Sequence, residues 1–221
     1  PETVYRLFSA LQAVISGKKV VFNPSGTHFK TEEMFPVNPL ENPRMEAAAR
    51  VLEGLGEEKA IVFCHYESEV TQLCGLYPEE AVRFDGRTSQ KARAYALREF
   101  AGKKKYLIAN KNCGGYSLNL QFCHNIVNLS HDWNLGTRLQ AENRIHRLGQ
   151  KTKVRIIDIC ADGTLDERIL ECLMRKENIL DGIRQAIQNN SGSREAMKKC
   201  IYGSRYHHEI FDCSELEDKD G

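Results

Sequence analysis

Short apolar runs recur along this chain between longer amphipathic stretches, and that alternation limits what it can fold into more than any other feature. AIVFC at 60–64, VRF at 82–84, YLIA at 106–109, NIVNL at 125–129 and VRIIDI at 154–159 read as strands. Between them stand PRMEAAARVLEGL from Pro43, ESEVTQLCGL from Glu67, SQKARAYALREFAG from Ser89 and TRLQAENRIHRLG from Thr137, each with helical length and spacing. A helix between two strands returns the second in the same direction as the first, so the strands pair in parallel. The expected fold is an α/β sandwich around a mostly parallel central sheet.

Local chemistry marks the ends of these elements. Pro43 suits a first helical turn, where its missing N–H has no partner to lose, and Gly102 and Gly149 are expected to end helices in the left-handed conformation. Four of the six prolines, Pro24, Pro36, Pro39 and Pro43, fall within 20–43. Residues 1–42 are therefore read as an N-terminal helix followed by a proline-rich loop or hairpin. Residues 43–188 form the main domain, closed by a helix from Thr164 to about Gln188, and 189–221 form a polar tail ending in ELEDKDG.

Composition excludes several classes. With 41% hydrophobic and 28% charged residues the chain is of globular type, and no apolar run approaches the roughly 20 residues that span a bilayer. A net charge of +1 means that nucleic-acid contacts would have to come from a local cluster. The eight cysteines form no CxxC pair, which argues against zinc, and their scatter in a chain with room for an ordinary core argues against a disulfide framework. The chain begins without Met or a secretory signal, and is read as a piece of something longer.

The most informative segment is QAENRIHRLGQ at 140–150, where Gln140, Arg144 and Arg147 stand at i, i+4 and i+7 and share one helix face. Arginine suits the terminal phosphates of a nucleotide, because its planar fork stays charged and binds oxygens bidentately. A solvated polar face is the plain alternative. Gly114 and Gly115 permit a tight turn with amides exposed to phosphate, and Ser117 and Asn119 add neutral donors, although a glycine turn can also serve packing alone. Arg87 and Thr88 lie past a strand end, where ligands of open α/β sheets gather, or belong to a polar loop. His65 follows AIVFC in a position that is more often structural, Lys103–Lys105 suit solvent, and Trp133 either anchors a helix or stacks on a base.

Taken together these segments resemble the helicase motifs of the Swi/Snf branch of superfamily 2. QAENRIHRLGQ resembles motif VI, HDWN at 131–134 the signature before it, and CGGYSLNLQ at 113–121 motif V. FDGRTSQKARAYALREF at 84–100, AIVFC as motif IV and GTLDERILE from Gly163 follow in the family's order. Ser117, Asn143 and Leu135 replace a glycine, an aspartate and a proline that the family usually has, which suggests a phage or bacterial member. The resemblance implies a RecA-like three-layer sandwich with a C-terminal helical extension, serving as the second motor domain of an ATP-dependent helicase or translocase. It implies Arg144 and Arg147 as arginine fingers, and Gln140, Gly115, Arg144 and Arg147 at ATP. It further implies Arg87, Thr88, Gly114, Ser117 and Asn119 at the DNA backbone.

The chain has no GxxxxGK[ST] loop and no DEAH-type acidic box. ATP and Mg2+ are therefore expected to be held mainly by an N-terminal RecA-like domain of the same polypeptide, and this chain alone is expected to be inactive. The expected partners are DNA and that domain, with no membrane. The expected location is the cytoplasm of a bacterial or phage-infected cell, or the nucleus of a eukaryote. Two other functions stand beside this one: a non-catalytic nucleic-acid-binding or interaction module of the same fold, and an α/β enzyme using Cys113 as a nucleophile.

Overall fold

The computed structural model describes residues 2–110, 120, 122–131, 135–142 and 153–175. Helix α1 (Glu2–Ile15) leads into an antiparallel hairpin of β1 (Lys18–Phe22) and β2 (Phe29–Glu33), then a short 3-10 turn at Pro39–Glu41. The α/β core follows as α2 (Pro43–Gly54), β3 (Ala60–Cys64), α3 (Glu67–Leu76), β4 (Ala81–Phe84), α4 (Gln90–Ala101) and β5 (Tyr106–Asn110). It continues with β6 (Asn125–Asn128), α5 (Leu135–Glu142), β7 (Arg155–Asp158) and α6 (Leu165–Arg175).

The five core strands form one parallel sheet in the order β4-β5-β3-β6-β7. β3 is central, with Ala60 level with both Tyr106 and Asn125, and all five of its residues are buried. This is why AIVFC is apolar without alternation: a strand covered on both faces has no solvent side. Ala60, Val62 and Cys64 meet Met45, Ala48 and Leu52 of α2 and Val70 and Leu73 of α3 on one face. Ile61 and Phe63 meet Ala96 and Phe100 of α4 on the other. Helix, sheet and helix layers make this the three-layer α/β sandwich that the RecA-like resemblance implied.

Helix starts follow the sequence closely. Asn42 accepts from the amide of Arg44 at 3.0 Å with Pro43 in the first turn of α2, and Ser89 Oγ accepts from Ala92 N at 3.3 Å. Three sequence expectations need correction or limits. Gly102 ends α4 at φ −91°, not in the left-handed region. Lys59 Nζ satisfies this end instead, donating to the carbonyls of Phe100, Gly102 and Lys104 at 2.8, 3.0 and 2.6 Å, so no special backbone conformation is needed. α5 begins at Leu135, two residues before Thr137. Gly149, the continuation of α6 toward Gln188 and the polar tail lie outside the described residues.

A third apolar cluster joins α1 to α6, where Phe8, Leu11 and Ile15 pack on Leu165, Ile169, Cys172 and Leu173. Arg44 ties this unit to the sheet. Its Nη1 donates to Leu129 O at 2.7 Å and to Ile159 O at 3.2 Å, its Nε reaches Ile15 O at 3.5 Å, and its Nη2 pairs with Asp166. Among the described residues, no helix is long and apolar enough to cross a membrane.

Candidate functional site

The carboxyl ends of β3 to β7 form a polar rim, as expected for a parallel sheet that takes ligands at that edge. At its centre the chain leaving β3 is braced by its neighbours. The His65 amide donates to Ser130 Oγ at 2.7 Å and to Glu69 Oε2 at 3.1 Å, and Ser130 Oγ donates to that same carboxylate oxygen at 2.7 Å. Tyr66 N reaches Glu69 Oε2 at 3.0 Å, and Asn110 Nδ2 donates to His65 O at 2.8 Å. Glu69, 1% exposed, thereby starts α3 and links β3 to β6. The His65 ring stands edge-on to Tyr66 at 4.7 Å.

At the β4 edge, the loop of Asp85 to Thr88 is folded around a buried carboxylate. Asp85 Oδ1 accepts from Arg87 N at 3.0 Å and from Thr88 Oγ1 at 3.1 Å, while Arg83 Nε donates to Oδ2 at 2.6 Å. Burial opposes the Asp85 charge, but the hydrogen bonds from Arg83 and Thr88 outweigh it and hold the pKa below its ordinary value. The Thr88 hydroxyl is thus used within the loop. The Arg87 side chain extends outward to Glu67 Oε2 at 2.6 Å, and both partners are well exposed.

At the other edge α5 docks on the sheet through Arg138. Its Nη2 donates to Asp158 Oδ2 at 2.9 Å and its Nε to Glu142 Oε1 at 2.7 Å, while Asn128 Nδ2 donates to Asp158 Oδ1 at 2.9 Å. Burial works against both charges of the pair. Their mutual hydrogen bond overcomes it, lowering the pKa of Asp158 and raising that of Arg138. Two positions on, about 200° around the helix, Gln140 is exposed.

Arg87, Thr88 and Gln140 are therefore all described, but they are not brought together. Arg87 follows β4, whereas α5 follows β6, three places along the strand order, or about 14 Å at ordinary strand spacing. Arg144, Arg147, Gly114, Gly115, Ser117 and Asn119 lie outside the described residues, as do Trp133 and Cys113. Sequence reasoning missed the Asn128–Asp158–Arg138 set and the Glu69–Ser130 brace. The signal was there in part: Asn128 and Asp158 are polar residues that close β6 and β7 directly after the apolar pairs Ile126–Val127 and Ile156–Ile157.

Comparison with known proteins places this geometry in context. The family model described as the helicase conserved C-terminal domain matches residues 43–149. Transcription regulatory protein SNF2 of Saccharomyces cerevisiae is 38% identical over 119 residues, 52% of this chain and 7% of that protein. An uncharacterized ATP-dependent helicase of Mycoplasma pneumoniae is 28% identical over 149 residues, 64% of this chain and 14% of that one. The mouse SWI/SNF-related matrix-associated actin-dependent regulator of chromatin subfamily A member 1 is 29% identical over 212 residues, 88% of this chain and 20% of that protein. The chain thus spans a fifth or less of each of these relatives. Among solved structures, the C-terminal part of the Fun30 ATPase domain shares the fold, with a TM-score of 0.55 and 21% identity over 60% of this chain and 45% of that one.

Proposed function

The chain carries the C-terminal RecA-like domain of a Swi/Snf-like superfamily 2 helicase, and we propose that it works as the second motor domain of an ATP-dependent DNA translocase. The observation that carries the proposal is the docking of α5. Arg138 spends its charge on Asp158 at the end of β7, which leaves the Gln140 side of the helix exposed beside the rim. In this reading Arg144 and Arg147 extend the Gln140 face and approach the phosphates of ATP held with Mg2+ on a preceding domain, stabilising the charge that develops as the terminal phosphoryl leaves. Gly115 helps to shape the same pocket. An exposed amide on the helix that follows β6 suits a nucleotide that arrives on another body.

The far edge of the sheet takes the DNA backbone in the same reading. The Asp85 carboxylate holds its loop rigid, so Arg87 can reach a phosphate without ordering the backbone first. Gly114, Ser117 and Asn119 of the motif V segment add backbone and side-chain donors, and Thr88 contributes by shaping the loop. Two grips on separate edges fit a domain that opens and closes against a partner while stepping along a duplex.

The isolated chain tests this division of labour. It should bind duplex DNA weakly, losing affinity steeply between low and physiological salt, and should hydrolyse no ATP above background. DNA-stimulated hydrolysis should appear only when the preceding motor domain is present. Turnover by the 221-residue chain itself would overturn the assignment.

A further inference from the structure

Gln12 lies on α1, outside the region that matches the helicase domain, yet its side chain is buried among the machinery of the rim. Phe8, Leu11 and Ile15 of α1 face α6, and an apolar residue at position 12 would extend that packing. The chain has instead a primary amide, 3% exposed, whose Nε2 donates to the carbonyl of His131. A buried amide is unfavourable unless it is hydrogen-bonded, so its value here lies in what it holds.

What it holds is the start of the segment that leads from β6 into α5. His131 is 1% exposed; its Nε2 donates to the carbonyl of Ile159 at 2.9 Å, and its Nδ1 lies 3.9 Å from Asp158 Oδ1. Asp158 is the carboxylate that anchors Arg138 of α5. Gln12, His131, Asp158 and Arg138 therefore form a continuous line of polar neighbours from α1 across the ends of β6 and β7 to α5. The nearby Arg44, bonded to the carbonyls of Leu129 and Ile159 and to Asp166, keeps the same strand ends in place from the α2 side.

We propose that Gln12 is a positioning residue for the nucleotide-facing helix: by fixing the His131 carbonyl it sets where α5 enters and hence where Gln140 stands. The proposal rests on the reading of Arg144 and Arg147 given above. α1 then belongs to the motor rather than leading into it, and a small displacement at His131 is felt in turnover, since catalytic groups tolerate little misplacement.

The test uses the protein that contains both motor domains. Gln12→Met keeps the shape and removes the donor. It should lower kcat for DNA-stimulated ATP hydrolysis by roughly tenfold, leaving KM for ATP and affinity for DNA unchanged. Arg138→Met should lower kcat as well, and the double variant should lose little more than the worse single variant, because both act through one line of contacts. Additive losses, or wild-type kcat in Gln12→Met, would overturn the proposal.

Hydrogen exchange on the unmodified protein gives a second measurement that depends on no variant's folding. A non-hydrolysable ATP analogue with DNA should slow the amides of α1 together with those of α5, whereas slowing in α5 alone would overturn the coupling. A silent Arg147→Ala would remove the function on which the inference rests. An inactive Arg147→Ala beside a fully active Gln12→Met would remove only the role of Gln12.

Discussion

Arg44 shows how much one side chain can decide. It is 6% exposed, and its guanidinium is distributed among three carbonyls and the buried Asp166 carboxylate. Arg44→Met should lower stability by about 3–5 kcal/mol in chemical denaturation, chiefly because the buried Asp166 carboxylate loses its ion-pair partner. Adding Asp166→Leu should recover part of that loss, and an unchanged denaturation midpoint in Arg44→Met would contradict this role. None of this was legible in the sequence, where Arg44 is one basic residue beside a helix-starting proline. Its partners lie 29 to 122 residues away and become neighbours only when the sheet assembles. Asn42 and Ser89 are the opposite case, since a helix cap acts within three residues and its chemistry is written locally. Among the site residues, Arg87 was readable as a strand-end cation, but its exposed pairing with Glu67 was not.

The strands were the most legible elements, and the reason is burial. A strand covered on both faces must be apolar throughout, so AIVFC and YLIA announce themselves without periodicity. Helix ends were less legible wherever a distant residue supplies the cap. α4 stops with Lys59 holding its last carbonyls, and a glycine at 102 in the sequence invited a different explanation. A glycine that does need its freedom is Gly17, between α1 and β1, at φ +79°. A Cβ there would come within 2.3 Å of Asn42 Nδ2, the atom that donates to Ser16 O, and the same asparagine caps α2. Gly17→Ala should therefore destabilise the junction of α1, β1 and α2 by about 1–3 kcal/mol in thermal or chemical unfolding. A variant as stable as the wild type would contradict the close approach.

For the molecule as a whole, the parallel sheet puts two kinds of chemistry on one rim but at different strands. A loop that carries Arg87 and is folded around Asp85 follows β4, and a helix docked by an ion pair to the end of β7 follows β6. Motif order in the sequence conveyed the fold and the family, with AIVFC forming the central strand and the GTLDERILE segment opening α6. It did not convey the distance between Arg87 and α5, which follows from β3 and β5 standing between β4 and β6. Nor did it convey the work of α1 and α6, whose contacts with the rim join residues far apart in the chain. We propose that this domain completes an ATP site held elsewhere in its polypeptide, and DNA-stimulated ATP hydrolysis by the protein containing both motor domains, with and without Arg147→Ala, tests it. The variant should fold and bind DNA as the wild type does while hydrolysis falls by about 10³-fold or more; turnover at the wild-type rate would rule this role out.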